Sequence, residues 1–575
     1  MSLKSKTIIP LLLLVFLGIW AGKASLTEPF FSTHDGDDHL ARTFEAVEAL
    51  SEGHFPLRWG GKLNGFCGVP VFNFFYPLLY YLAAGLSLLT GNVLLSLEII
   101  FFISFILAPV FFFFWLVKET DNFLAAFIGA LIYLFVPYRF LLVYVRGNPE
   151  FLTYTILPIF LYQASCLIDS LKTKSPKNKK VLIQGFSLSF WGAMIALSHN
   201  ISAMITAPVV LLWLILKIFQ EKVYQKKSAL IFIFLIAFSI FAFSAFFWGP
   251  MILEQNQTKL ANTSSSFYHQ HFPTLKQLIR SSWGYGYSGL GTENDGLSFM
   301  LGYAQWLVLL SATIFIGYRF SRKRLAGTEK IVFWYLLSGG AIFLMLEISG
   351  PIWELVKPLQ IIQFPWRLLG ITSFTIAAMA GFLVDKLKFN KLKFSFIVAV
   401  FFLALYGNRN HLRVNPVSNE NLYRNFSQQH PKRYQTTTFA NEILHPDAKG
   451  ECQPYQSFLA VNNQVLSNKP QRGSTYGLIH FDWPKEEKAN INLNLSFFPG
   501  IYKITVNDDK VSNKEVTNDQ GLIKLNSVFL KEGENQIRWQ ITQSPKQRFF
   551  NYFSLFSFAA WLAILVFSYV SDKKR

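Results

Sequence analysis

Apolar residues along this chain come mostly in long unbroken runs, not in alternation. The stretch "LEIIFFISFILAPVFFFFWLV" (97–117) is one of them. About 20 such residues in helical form cross the hydrocarbon core of a bilayer. Runs at 8–21, 93–117, 123–137, 151–171, 181–197, 203–219, 229–247, 297–318, 331–346, 368–384, 394–406 and 549–570 predict about twelve spanning helices by that standard. From 408 to 547 the pattern changes. "INLNLSF", "YKITV", "LIKLN" and "NQIRWQIT" alternate apolar with polar, and "FPG", "VNDDK" and "KEGEN" separate them as turns. The reading is an all-α polytopic membrane protein with a C-terminal extracytoplasmic β-sandwich-like domain. Its parts are a membrane domain at 1–407 with an outer acidic loop at 27–92, a β-rich domain at 408–547, and an anchor with a basic tail at 548–575.

The segment "VPVFNFFYPLLYYLAAGLSLLTG" (69–91) is apolar enough to cross, and charge decides against it. The basic segments "KTKSPKNKK", "QEKVYQKK", "YRFSRKR", "DKLKFNKLK" and "SDKKR" share a side with the N-terminal "MSLKSK" only if 69–91 lies in the interface or re-enters. Lys and Arg collect in cytoplasmic loops, so both termini are expected in the cytoplasm and the protein in the plasma membrane. The short, basic-flanked first run also admits a cleaved signal peptide. The net charge of +19 follows from these loops and does not call for nucleic acid. Three cysteines (Cys67, Cys166 and Cys452) make no framework or zinc pattern, although a Cys67–Cys452 bridge is conceivable.

With that orientation, residues suited to chemistry collect on the outer face. "HDGDDH" holds His34, Asp35, Asp37, Asp38 and His39. Such carboxylates serve as a general base or hold a divalent cation such as Mg or Mn, and His34, Asp35 and His39 are possible metal ligands. Asp37 and Asp38 are natural N-caps for an amphipathic helix with Leu40, Phe44, Val47 and Leu50 on one face. Asp35, ahead of that cap, has no such structural explanation. Arg58 stands in a loop rich in Gly, Pro and aromatics. Arg139, Arg146 and Glu150 lie in "YRFLLVYVRGNPE", where an outer arginine asks for a carboxylate or a phosphate, and Glu150 is the simple partner for Arg146. His199 ends a helix and reads as an interfacial residue or a ligand. In "QFPWRLLG", Pro365 suits a first helical turn and puts Arg367 near a helix N-terminus, a place that favours an anion. The loop 249–296 adds His269, His271, Trp283, Tyr285, Tyr287, Glu293 and Asp295. Its two histidines would share a face only on a strand. Its aromatics would stack on a sugar or lie on the membrane.

No P-loop, dinucleotide fingerprint, HExxH or GxSxG pattern is present. Acids outside and no nucleotide motif inside point to a donor that arrives in the outer leaflet, as a lipid-linked phosphate would.

The many helices, the acidic first outer loop and the outer C-terminal domain resemble the GT-C class of membrane glycosyltransferases. "HDGDDH", "GHFPLRW", "GVPVFNFFYPLLYY" and "QFPWRLLG" resemble more closely the bacterial and archaeal membrane family labelled 6-pyruvoyl-tetrahydropterin-synthase-related and the YfhO-type proteins. The resemblance implies transfer of a sugar from a polyprenyl-phosphate-linked donor to an extracytoplasmic glycan, lipid or protein acceptor. It places the first-loop acid on Asp35, with His34, Asp38 and His39 beside it as catalytic candidates. It places the lipid phosphate on Arg367, helped by Arg58 or Arg146, and leaves Glu150, His199 and Trp283 as further substrate-binding candidates. A transporter of lipid-linked glycans and a non-catalytic assembly subunit are the alternative readings.

Overall fold

The computed structural model describes residues 3–26, 30–262, 265–291, 295–324, 326–388, 391–417, 431–438, 441–452 and 458–573. Among the described residues eight helices are long and apolar enough to cross a membrane: Thr7–Leu26, Val93–Thr120, Glu150–Thr173, Lys179–Ser198, Asn200–Gln220, Lys227–Gln257, Pro365–Lys386 and Pro545–Val570. Two bent pairs raise this to ten by length and composition: Phe123–Leu134 with Pro137–Arg146, bent by 46°, and Glu329–Met345 with Glu347–Leu355, bent by 92°. The runs at 297–318 and 394–406 become the helices Tyr303–Ser321 and Lys391–Gly407, which fall outside that group. The first bend sits where Val136 is extended and Pro137 restarts the helix, since proline disfavours helical geometry in the residue before it. At the basic end, Asn122 and Asn178 cap their helices through side-chain oxygens, as this residue type does where orphan N–H groups need an acceptor.

The segment 69–91 does not form one span. Val71–Phe74 is a single turn, and Leu78–Thr90 is a 13-residue helix. At 1.5 Å per residue that is about 20 Å, short of the ~30 Å hydrocarbon core. The Pro365–Lys386 helix is the centre of the membrane layer and is buried almost throughout. Close packing there depends on small residues: a Cβ at Gly129 would come within 2.2 Å of the Leu116 side chain, and one at Gly381 within 2.6 Å.

The C-terminal region forms ten strands: β1 (Leu459–Val461), β2 (Gln464–Leu466), β3 (Gln471–Arg472), β4 (Tyr476–Trp483), β5 (Glu487–Ser496), β6 (Tyr502–Val506), β7 (Asp509–Lys510), β8 (Val516–Asp519), β9 (Leu522–Leu530) and β10 (Gly533–Ile541). They make two five-stranded antiparallel sheets, ordered β2-β1-β5-β9-β8 and β3-β4-β10-β6-β7. The period-two pattern turns Ile479, Phe481, Ile504, Ile537 and Trp539 of one sheet and Leu459, Ile491, Leu493, Ile523 and Leu525 of the other into one core.

This region is tied to the 27–92 segment as well as to the last helix. Cys67 and Cys452 are bonded to each other, so the conceivable bridge is formed. Glu45, wholly buried on the Gly36–Ser51 helix, accepts from Arg433 Nη1 at 2.6 Å and Ser474 Oγ at 3.0 Å. Glu52 accepts from the backbone N–H groups of Ser474 and Thr475, each at 2.7 Å. Arg42 donates to Thr437 Oγ1 at 2.9 Å. A helix expected to show one apolar face therefore also buries Arg42 and Glu45, because the C-terminal region supplies their partners.

Candidate functional site

The Gly36–Ser51 helix starts one residue before the expected caps. Asp35 occupies the N-cap position, and Asp37 and Asp38 fall in the first turn. The capping bond is made by Thr33, whose Oγ1 accepts from Gly36 N–H at 2.9 Å. Asp35 is thereby released from the usual duty of its position. Its carboxylate turns to the start of the Glu150–Thr173 helix instead. Asn148 Nδ2 donates to its Oδ2 at 2.7 Å, and Arg146 Nη2 lies 3.6 Å away. Backbone bonds hold the two strands of chain together: His34 N–H to Val145 O at 2.9 Å and Asp35 N–H to Arg146 O at 2.8 Å. The Asp35 side chain keeps 34% of its surface exposed.

Behind Asp35 stands a buried ion cluster. Arg146 Nη1 donates to Glu150 Oε1 at 2.6 Å, the pairing that the i, i+4 spacing suggested. Arg367 Nε lies 3.2 Å from the same oxygen, and Tyr138 donates its hydroxyl to Oε2 at 3.0 Å. Glu150 has no exposed surface, and the Arg146 guanidinium sits 5.1 Å over the Trp366 ring. Arg367 also donates to Ile362 O at 2.8 Å and Gln363 Oε1 at 3.1 Å. Pro365 begins the short turn that carries it, as expected.

Burial works against an ionised Asp35, but Arg146 and the Asn148 bond outweigh it and hold the carboxyl below its ordinary value of 3.8. Burial pushes the His39 imidazole down to about 3, with Arg42 adding to it. His39 Nδ1 meets the Tyr80 hydroxyl at 2.9 Å. His34 is also lowered by burial, partly offset by the bond from its Nε2 to Tyr285 O at 3.2 Å. A site with one exposed ionised acid, a second acid buried between two arginines, and neutral histidines is suited to taking a proton beside a phosphate.

The expected metal trio does not assemble. His34 is committed to Tyr285, Asp35 to Asn148 and Arg146, and His39 to Tyr80, three different directions around a helix start. Among the described residues no three His, Cys, Asp or Glu side chains gather to hold a metal ion. Asp38 lies 3.3 Å from Lys432 Nζ. Arg58 stands apart from Asp35. It donates to Asn73 Oδ1 at 3.2 Å, to Asn551 Oδ1 at 2.8 Å and to Phe246 O, in a network that includes buried Glu254. His199 caps the next helix, its Nδ1 accepting from Ser202 N–H at 3.2 Å. Trp283 packs on His411 at 4.2 Å between ring centres. Ser265–Gln270 is 3-10 helix, not strand, so His269 is exposed while His271 is buried against Ser288. Asp295 binds its own loop through Gly289 N–H and Gln277. Glu293 lies outside the described residues.

Sequence reasoning did not single out Asn148, Tyr138 or Trp366. Asn148 sits before Pro149 and reads as turn chemistry. The signal that finds it is a side-chain amide between an arginine and a glutamate that both need partners.

No family model matches the chain. It is 24% identical over 257 residues to an uncharacterized protein of Lactococcus lactis subsp. cremoris (strain MG1363), which covers 43% of this chain and 40% of that protein, so the chain spans about two fifths of that relative. Two solved structures align with it at 12% identity. One is the archaeal oligosaccharyltransferase AglB from Archaeoglobus fulgidus in complex with an inhibitory peptide and a dolichol-phosphate, with a TM-score of 0.43 over 76% of this chain and 61% of that one. The other is the apo form of the A. fulgidus oligosaccharyltransferase, with a TM-score of 0.45 over 79% and 62%. TM-scores of this size do not establish a shared fold.

Proposed function

We propose that the protein is a membrane glycosyltransferase that moves a sugar from a polyprenyl-phosphate donor to an acceptor hydroxyl on the extracytoplasmic face. The observation that carries this reading is Asp35. An N-cap aspartate ordinarily spends its oxygens on its own helix. This one is spared by Thr33, held ionised by Asn148 and Arg146, and left one third exposed at the edge of an arginine pair.

In the proposed step, an acceptor hydroxyl gives its proton to Asp35 as its oxygen bonds the anomeric carbon. The bond from that carbon to the phosphate oxygen breaks, and polyprenyl phosphate leaves with the electron pair. One displacement inverts the anomeric centre. Arg146 and Arg367 face the growing charge on the leaving phosphate, an arrangement in which oriented donors are worth most because little water competes. Glu150 offsets their charge in the resting site and fixes both forks. Arg58 takes no part in this reading, since it lies apart from Asp35 and the Glu150 cluster, among Asn73, Phe246 and Asn551. The outer assignment rests on the basic loops at the opposite end and on the Cys67–Cys452 bond, which belongs in an oxidising compartment.

The test uses purified protein in lipid with a panel of radiolabelled polyprenyl-phosphate sugars, following release of polyprenyl phosphate. Release that falls at least about 100-fold in Asp35→Asn and in Arg367→Ala supports the reading. Release by Asp35→Asn at the wild-type rate overturns it. Tight donor binding with no release in the wild type favours a lipid-glycan transporter.

A further inference from the structure

The acceptor side of the site carries a feature that proton transfer alone does not need. Tyr287 keeps 68% of its surface exposed, yet it is held in place. Its ring stacks on His34, 4.3 Å between centres and 25° from parallel. His34 is the residue before Asp35, and its Nε2 donates to Tyr285 O. With one face against His34, the exposure of Tyr287 belongs to its other face and its hydroxyl edge.

The chain around Tyr287 is built to hold the ring there. Gly286 N–H donates to Gly296 O at 3.0 Å, and Gly296 N–H to Tyr287 O at 2.8 Å. The two limbs approach so closely that a Cβ on Gly286 would lie 2.8 Å from Gly296 Cα, which only glycine tolerates. Tyr285 donates its hydroxyl to Arg413 O at 2.8 Å. Asp295 anchors the far side by accepting from Gly289 N–H at 3.1 Å and Gln277 Nε2 at 2.8 Å.

A fixed aromatic face that is left open to water costs little entropy when something flat covers it. The surroundings narrow the choice. Asp35 directly follows the His34 on which the ring is stacked, and carboxylates accept hydrogen bonds from hydroxyl groups. A sugar ring offers both requirements at once: C–H bonds on one face, which the negative face of an aromatic ring attracts, and hydroxyls around its rim.

We propose that Tyr287, braced by His34, is the platform on which a carbohydrate acceptor stacks, so that one of its hydroxyls reaches Asp35. This rests on the glycosyltransferase reading and specifies its acceptor as a glycan. Tyr287 binds the acceptor, and His34 is a positioning residue beneath it.

Two measurements test it. The first is direct binding of a panel of neutral oligosaccharides, and of peptides as the competing class, to the Asp35→Asn protein in lipid nanodiscs. An oligosaccharide that binds, loses about tenfold or more in affinity with Tyr287→Ala, and recovers with Tyr287→Phe supports the platform. Equal affinity in Tyr287→Ala, or binding of peptides alone, overturns it. The second is transfer in protein with Asp35 intact. Tyr287→Ala is expected to raise the acceptor KM about tenfold while donor KM stays at the wild-type value. A kcat loss with both KM values unchanged contradicts a stacking role. Tyr287-dependent sugar binding without any release of polyprenyl phosphate would retain the platform and defeat the proposed reaction, so the two failures are distinguishable.

Discussion

Glu119 and Glu150 both have fully buried side chains, and each has two cations. Glu119 accepts from Lys217 at 3.0 Å, from Lys330 at 2.6 Å and from Ser165 at 2.7 Å. Ser165 lies on the same helix as Glu150, about 22 Å further along at 1.5 Å per residue, so the clusters mark opposite ends of the helical layer. Their charge counts match, but their surroundings differ. The Glu119 cluster draws its cations from separate helices, Asn200–Gln220 and Glu329–Met345, and acts as a clamp. Both clusters reach a second, partly exposed acid, Lys217 toward Asp169 at 3.9 Å and Arg146 toward Asp35 at 3.6 Å, but Asp169 is also paired with Lys118 at 2.5 Å, whereas the Glu150 cluster uses arginines, whose planar forks have donors to spare. A buried acid between two cations is therefore compatible with pure structure. What separates the ends is how the second acid is held, Asp169 directly by Lys118 and Asp35 by the Asn148 amide beside the arginine pair, and the claim of chemistry stands on Asp35.

The comparison breaks most sharply by substitution. Asp35→Asn is expected to lower transfer by about 10²–10⁴-fold, the range for losing a positioned base, with the thermal midpoint nearly unchanged. Glu119→Gln should do the reverse. It leaves two lysines facing a neutral amide and is expected to cost about 3–5 kcal/mol of stability, seen as a lower melting midpoint, while the turnover of the folded fraction holds. Equal loss of turnover in both would erase the distinction between the ends.

A smaller effect comes from the link between the outer loop and the C-terminal region. Cys67→Ser with Cys452→Ser is expected to lower stability by about 2–5 kcal/mol, measurable as a lower melting midpoint that, unlike that of the wild type, no longer changes when reductant is added.

The pH dependence is subtler and has a definite sign. His39 is held down to about 3, and His54 and His411 to about 4, each first by burial. The unfolded chain takes protons on these residues from about 6.5 downward and the folded chain does not. Stability is therefore full above that value and falls as pH drops through the window from 6.5 to about 3. The Asp35 carboxyl acts in the same direction on activity, at lower pH. Its pKa is depressed, so the acid limb of the rate profile should lie below the usual carboxylate range, and Asn148→Ala should move it upward because the bond favouring the charged form is gone.

Much of the site could be read in the chain, and the misses have physical causes. Asp35 stood out because no helix needed it, and Arg146 with Glu150 because four residues make a helical turn. Arg367 followed from Pro365. The cap was misplaced by two or three residues because Thr33, not an aspartate, took the bond to the helix start. The metal trio failed because residues spaced closely in sequence leave a helix start in different directions, and Tyr285 and Tyr80 lie far away in the chain. The Glu119 clamp could not be seen for the same reason: Lys217 and Lys330 are distant in sequence, and each reads alone as a cytoplasmic-loop charge. The longer strands were legible by alternation, as in β6 and β10. The two-residue strands β3 and β7 were not, since a period needs more residues than they have.

The central claim is tested most directly by the release of polyprenyl phosphate from a radiolabelled donor by wild type, Asp35→Asn and Glu119→Gln in the same lipid, normalised to folded protein. The account predicts release by wild type and Glu119→Gln and at least a 100-fold loss in Asp35→Asn. Release by Asp35→Asn at the wild-type rate would contradict it and leave the acidic loop as the start of a helix and nothing more.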